Sequence, residues 1–342
     1  MGRARLPDRK ARVTVEDVAL RAEVSPATVS RIMRGEAVVT EATRQRVMVA
    51  VRALGYVPNR IAGALASLNT RLVGVVIPSL HNIVFPEVLR GIHAGLEGSG
   101  HQAVIAVTDY DPVREEEAVR GLLAWQPAAV LIAGFEHSDA TRQMLARSGV
   151  RVVEMMDIDS APIDLAVGFS HRRAGYETGR HLIGRGYRRF GYVGHDWAAD
   201  RRAKLRHEGL TSALAEAGLT LVAQARADGP SSVAAGREQT ARLLGFAPVD
   251  VAVYSNDDMA VGGVFHAMAH GLRLPDDLAI FGFNGLEIGR ELPQPLSTLR
   301  SNRFLIGQQS VAAVLGHPRG ASPGAIAGVI DTGFDIFPGA TA

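Results

Sequence analysis

From Leu72 onward the chain alternates short β-branched runs with amphipathic segments, a pattern that few architectures accept. LVGVVIP, HQAVIAVT, AAVLIAG and VRVVEMM read as strands in order, with stretches of helical periodicity such as EVLRGIHAGLEGSG between them. A second series follows in RRFGYVGH, LTLVAQA, VDVAVYSN and LAIFGFN. Strands alternating with helices predict parallel sheets covered on both faces. Two such series predict two lobes with a cleft between them.

Ligands in such sheets bind beyond the carboxyl ends of the strands. Those ends are polar here. Pro78-Ser79-Leu80-His81-Asn82 follows the first strand, Glu136-His137 the third and Met156-Asp157 the fourth, and His195-Asp196, Asn256-Asp257 and Asn284 end later ones. Taken singly, each has a plainer reading. Asn256 or Asp257 can simply cap the next helix, and His81, His137 and His195 can be solvated loop residues. Several such residues at one rim are harder to set aside. Arg201, Arg202, Lys204 and Arg206 also crowd the start of one helix, where Arg206 could grip a carboxylate with both nitrogens of its fork. The alternative is a solvated basic helix face.

The first sixty residues are of another kind. They hold 12 Lys/Arg against 6 Asp/Glu, a net of +6, within a chain whose total is only +2. Positive charge gathered in one small unit suits a segment that meets phosphates. Three short helices are predicted. Thr14 caps the first, with Asp17 completing a capping box; Ser25 and Pro26 open the second; the third follows Thr40 and stops near Gly55. The turn at Glu23-Val24-Ser25 joins the first two as a helix-turn-helix, whose second helix can enter a major groove. On the pattern alone, a basic surface helix of an ordinary three-helix bundle fits equally well.

The run VTVEDVALRAEVSPATVSRIMRGEAVVTEATRQRVMVAVRALGYVPNRIAGALAS resembles the DNA-binding head of the lactose repressor (LacI) family, including T-V-S-R and G-Y-x-P-N-R. The stretches GVVIPSLHNIVFPEVLRGI, VGFSHRRAGYETGRHLIGRGYRRFGYVG, YSNDDMAVGG and LPDDLAIFGFNG resemble that family's periplasmic-binding-protein-like effector domain. The resemblance implies an all-α helix-turn-helix head over residues 1–58, a hinge helix and linker over 59–71, and a two-lobed α/β domain over 72–342. It implies DNA contacts at Ser25, Pro26, Ala27, Thr28, Ser30, Arg31, Arg34, Asn59, Arg60, Ala62 and Leu65, with Leu65 as a minor-groove wedge. Pro26 and Ala27 offer no hydrogen bonds, so they would discriminate by shape or by contact with a thymine methyl, while Arg31 can reach a guanine. It implies effector contacts at Asn82, Phe85, Asp157, Phe169, Arg206, Asn256 and Asn284. One departure is Glu23, where the family usually has glycine; glutamate does not readily take positive φ, so a different turn is expected there.

In detail VFPEVLRGI, VVEMMDID and DLAVGFSH resemble the gluconate repressor branch of the family. The family often has aspartate where Asn284 stands, and a neutral amide removes repulsion toward an anion. A sugar acid such as gluconate is the expected effector, with a phosphorylated or neutral sugar as the alternative. The expected partners are a palindromic double-stranded operator and a second copy of the chain. FDIFPGATA closes the sequence without a leucine-repeat tail, so a dimer is expected rather than a tetramer.

Other classes fit less well. With no cysteine, disulfides and Cys-ligated metal are excluded. The basic, polar start MGRARLPDRKARVTVED lacks the apolar core of a secretion signal, and no apolar run reaches membrane length. A cytoplasmic protein is therefore expected, and a sugar-transport binding protein is disfavoured. No phosphate loop, nucleophile elbow or HExxH pair is present, and Glu115-Glu116-Glu117 reads as a wet helix face, so neither an enzyme nor a cofactor is expected.

A minor-groove wedge bends DNA at a cost of about a few kcal/mol, which wider contact must offset. The hinge over residues 59–71 is accordingly expected to fold only on DNA. NMR of the free protein should show no helical signals from it; clear ones would contradict this.

Overall fold

The structure, a computed structural model, describes residues 13–33, 39–57, 70–80, 82–198, 200–316 and 328–342. The chain divides into two compact units, Met1–Thr70 and Arg71–Ala342.

In the first unit α1 (Val15–Ala22), α2 (Pro26–Met33) and α3 (Glu41–Leu54) enclose a small core of Val18, Ala19, Val29, Ile32, Val47 and Val51. Thr14 and Asp17 form the expected capping box, Thr40 caps α3, and Gly55 ends it in a left-handed conformation. The turn after α1 corrects the expectation for Glu23. This glutamate does adopt φ 54°, and its N–H donates to the carbonyls of Ala19 and Leu20. Left-handed backbone costs an L-residue about 1–2 kcal/mol. Satisfied helix-end carbonyls and the core behind the turn offset that cost.

In the second unit the chain builds β1 (Leu72–Ile77), α4 (Val84–Leu96), β2 (Gln102–Val107), α5 (Pro112–Ala124), β3 (Ala129–Ala133), α6 (Asp139–Arg147), β4 (Arg151–Asp157) and β5 (Leu165–Phe169). The second lobe follows with α7 (His171–Gly184), β6 (Phe190–Gly194), α8 (Arg201–Glu216), β7 (Leu221–Arg226), α9 (Val233–Phe246), β8 (Val251–Tyr254), α10 (Asp257–Ala269), β9 (Ala279–Asn284), α11 (Glu287–Arg290) and β10 (Ser297–Ser301). The chain then returns to the first lobe through α12 (Arg303–Leu315) and β11 (Val329–Asp331), and ends in the second with β12 (Phe334–Phe337).

Both sheets have the same plan. Their orders are β11-β5-β4-β3-β1-β2 and β12-β10-β9-β8-β6-β7, parallel except for the β10–β12 pair. Strands buried on both faces are expected to be apolar on both, and β1 and β3 are. Val73, Val75 and Ile77 of β1 enter one cluster while Val76 enters another; Ala129 and Leu131 of β3 part from Val130 and Ile132 in the same way.

Three helix pairs cross at reciprocal glycines: α4 with α12 at Gly91 and Gly307, α7 with α8 at Gly175 and Gly209, and α9 with α10 at Gly236 and Gly262. A Cβ at any of these would overlap a backbone carbonyl of the facing helix. Gly175→Ala gains about 1 kcal/mol in helix propensity, but overpacking against the Arg206 carbonyl costs about 1–3 kcal/mol and sometimes more. A melting temperature several degrees below that of the native protein is expected by circular dichroism; an unchanged one would mean that the pair has room to spare.

Candidate DNA-reading face and effector cleft

In α2 the sequence splits the helix into two sides. Val29 and Ile32 are buried in the core, while Ser25, Pro26, Ala27 and Arg31 are exposed and Thr28 and Ser30 half-buried. The Ser25 hydroxyl accepts from the Thr28 N–H at 3.2 Å and lies 2.9 Å from the Thr28 hydroxyl, so it caps the helix. Arg31 makes one long bond, from Nε to the Ala27 carbonyl at 3.4 Å. The face combines small residues, hydroxyls and one long cation. Arg34, Asn59, Arg60, Ala62 and Leu65 lie outside the described residues.

In the second unit the cleft is built around Arg206, on the inner side of α8. Arg206 Nη1 donates to His171 Nδ1 at 3.1 Å, Nη2 donates to the Ser255 carbonyl at 2.8 Å, and the guanidinium lies 4.0 Å from the Phe283 ring centre. Asp200, the N-cap of α8, stands 3.9 Å from Nη2. His171 Nε2 in turn donates to the Met156 carbonyl at 3.0 Å. Burial, reinforced by Arg206 and Arg202, drives the His171 pKa well below the ordinary histidine value, so its Nδ1 stays a neutral acceptor. Burial would raise Asp200, but the bond from His195 and the charges of Arg202 and Arg206 hold it well below the usual carboxylate range.

The other expected cleft residues separate into distinct roles. Phe85 and Phe169 are buried, Phe169 against His171 at 4.4 Å and Phe85 beneath Arg202 at 5.6 Å. Asn82 donates to the Tyr110 hydroxyl at 3.0 Å. Asn256 takes the plainer role as well, capping α10 through Met259 N–H at 3.2 Å. Asn284 sits at φ 118°, its carbonyl bound by Arg303. Asp157 is fully buried, with Oδ1 accepting from Asp159 N–H at 2.8 Å and Oδ2 without a donor. The carboxyl fork expected of Arg206 is thus largely occupied by the protein itself.

Three plainer readings are corrected. His195 is buried, bridging the Ser255 hydroxyl at 2.9 Å and Asp200 at 3.4 Å. His137 is not solvated either; it joins Glu115 at 2.8 Å and Glu154 at 3.5 Å. Burial pulls its pKa down, but the two carboxylates push it up to about 9. Glu115 is therefore no wet helix residue, although Glu116 is an ordinary surface partner of Arg120. The basic run also divides. Lys204 points to solvent, Arg201 reaches across to Glu136 at 3.1 Å, and Arg202 and Arg206 turn inward one helical turn apart. His171, Asp200 and Ser255 were absent from the expected set. The short run LAVGF carries little strand pattern, which leaves His171 unmarked as a rim position; Asp200 before two arginines is a legible cap signal.

Among the described residues no group of three or more His, Asp or Glu side chains is arranged to hold a metal ion, and no helix is long and apolar enough to cross a membrane.

Burial raises the Asp157 pKa to about 6, above the ordinary value near 4. The folded protein then holds this proton more tightly than the unfolded chain. Its contribution to stability is full below about pH 4 and lost as pH rises through about 6. Native protein should therefore lose melting temperature relative to Asp157→Asn across that window. A difference independent of pH would contradict the assignment.

Comparison with known proteins places these features. Residues 14–59 match the bacterial regulatory proteins of the lacI family, and residues 180–324 match the periplasmic binding protein-like domain. The HTH-type transcriptional regulator GntR of Pseudomonas aeruginosa is 41% identical over 311 residues, covering 89% of each chain. A LacI family transcriptional regulator from Silicibacter pomeroyi is similar in structure, with TM-score 0.88, 42% identity and coverage of 96% of this chain and 99% of that one. The lac repressor dimer bound to operator and the anti-inducer ONPF matches with TM-score 0.85, 26% identity and coverage of 96% and 99%. The helix-turn-helix head and the two-sheet α/β unit are those of a transcriptional regulator rather than an enzyme, and the chain belongs to the LacI family of DNA-binding regulators.

Proposed function

We propose that the protein is a repressor of sugar-acid catabolism that binds a palindromic operator as a dimer and answers to gluconate or a related sugar acid. The observation that carries the ligand class is the inward pair Arg202 and Arg206, in a lobe whose strand β9 ends in the neutral Asn284. A small polyhydroxy anion would find fixed cations, amides and the apolar walls Phe85 and Phe169. The exposed face of α2 supports base reading by Arg31 and phosphate contacts by Ser25, Thr28 and Ser30.

The proposed dimer has support of its own. Edge strand β2 exposes Val104, Ile105 and Val107, and the second lobe exposes Val222, Phe265 and Met268. Unprotected apolar edges of this type call for a cover, and a second copy provides one. A dimer places two heads on two half-sites. Ligand held between the lobes then biases their arrangement and, through it, the affinity for DNA.

The test is fluorescence anisotropy of a duplex from the promoter nearest the gene, at one fixed salt concentration because phosphate contacts are steeply salt-dependent. Tight binding that gluconate shifts and neutral glucitol does not is expected. Binding indifferent to every sugar acid would remove the effector, and no binding to any promoter fragment would remove the regulator of that site. Arg31→Ala should weaken the specific duplex by about 1–3 kcal/mol and relax discrimination at one base pair; equal loss on all sequences would make Arg31 a phosphate contact.

A further inference from the structure

Among the described residues of the cleft, one cation has no hydrogen-bonded acceptor and one buried carboxylate oxygen has no donor, and together they define a narrower ligand class. Arg206 is the less open cation: both its terminal nitrogens and its flat face are engaged, leaving only Nε, buried without an acceptor. Arg202, four residues earlier on α8, makes no hydrogen bond among the described residues. Its closest fixed anion is Asp200, with Nε 3.6 Å from Oδ1, and its side chain is only 11% exposed. A guanidinium carries five N–H donors, and one so far from water needs acceptors for them. Phe85 beneath it supplies an apolar floor and no acceptor.

Facing it from the first lobe, Asp157 has the opposite need. Its Oδ2 is buried without a donor, and its charge and that of Arg202 act on one another across the cleft. A ligand that answers both must bring an anionic fork and, beside it, a hydroxyl donor. Neighbouring carboxylate and hydroxyl groups are the mark of an α-hydroxycarboxylic acid.

We propose that Arg202 is the specificity-determining residue of the cleft, taking the ligand carboxylate in its guanidinium fork while Asp157 accepts a hydrogen bond from the adjacent hydroxyl. This rests on the sugar-acid reading above and narrows it to aldonic acids and their relatives. The two groups come from different lobes, α8 and β4, so one end of the ligand joins both halves of the unit. A neutral polyol satisfies Asp157 but leaves the fork of Arg202 open, and sites built around such a group reject analogues that lack its partner. Arg206 has the lesser role of bonding a hydroxyl from a fixed position.

The experiment is calorimetric titration of the full-length protein with sodium gluconate and with glucitol, which carries a hydroxymethyl group in place of the carboxylate. Native protein should prefer gluconate by about 100-fold or more, and Arg202→Gln should lose about 30-fold or more of its gluconate affinity with little change for glucitol. Arg206→Gln should weaken both ligands and keep their ratio. Arg202→Lys retains the charge without the fork and should fall between. Circular dichroism checks that Arg202→Gln is folded; if it is not, Arg202→Lys carries the test, and an unchanged gluconate-to-glucitol ratio would overturn the proposal. Retention of the ratio in Arg202→Gln with its loss in Arg206→Gln would move the carboxylate to Arg206 and leave the sugar-acid reading standing. Native protein that binds glucitol as well as gluconate would overturn that reading and this proposal with it.

Discussion

A guanidinium taken out of water must be compensated from several directions, and the cleft is organised by how Arg206 is compensated. Its partners come from separate parts of the chain: His171 beyond β5, Asp200 at the cap of α8, Ser255 beyond β8 and Phe283 in β9. Removing Asp200, the charged partner, would leave the buried cation unpaired, at a typical cost of about 3–5 kcal/mol. The neutrality of His171 belongs to the same account, because burial disfavours its charged form and a second cation there would repel the first. Arg206 is therefore held before a ligand arrives, while Arg202 has no hydrogen bond among the described residues and Asp157 Oδ2 has no donor.

Around that rigid centre the lobes are joined by three passages of the chain, after β5, after β10 and between β11 and β12. Side chains add further ties. Arg303, the first residue of α12, binds Glu87 of the first lobe at 2.7 Å and the Asn284 carbonyl of the second. Arg201 reaches from α8 to Glu136 and Ser160. Contacts of this type can exist in one arrangement of the lobes and be absent in another, which is what a ligand must act on to shift a population. The exposed Arg201 pair is screened by solvent and weak; the nearly buried Arg303 is the stronger constraint.

Much of the fold could be read from residues because parallel strands buried on both faces leave unmistakable apolar runs. LVGVVIP and AAVLIAG became β1 and β3 within a residue or two. STLRS is polar and shows no strand pattern, yet Ser297, Thr298 and Ser301 are buried, Ser297 and Thr298 held by bonds to Thr341, Ala342 and Asp257. The short strands β11 and β12 carry too little pattern to stand out. For the cleft, the rim positions were legible as polar residues after strands, whereas their division of labour was not. Whether Asn256 caps a helix, or His137 meets Glu115 across 22 positions, depends on packing that no local spacing records.

Control of DNA binding from the cleft requires that ligand and operator alter each other's affinity by the same factor. The most direct test is calorimetric titration of gluconate into the free protein and into protein saturated with operator duplex at the same salt concentration. The account predicts dissociation constants that differ by about fivefold or more. Equal constants would contradict it, because a ligand with no preference between the two states cannot act as a switch.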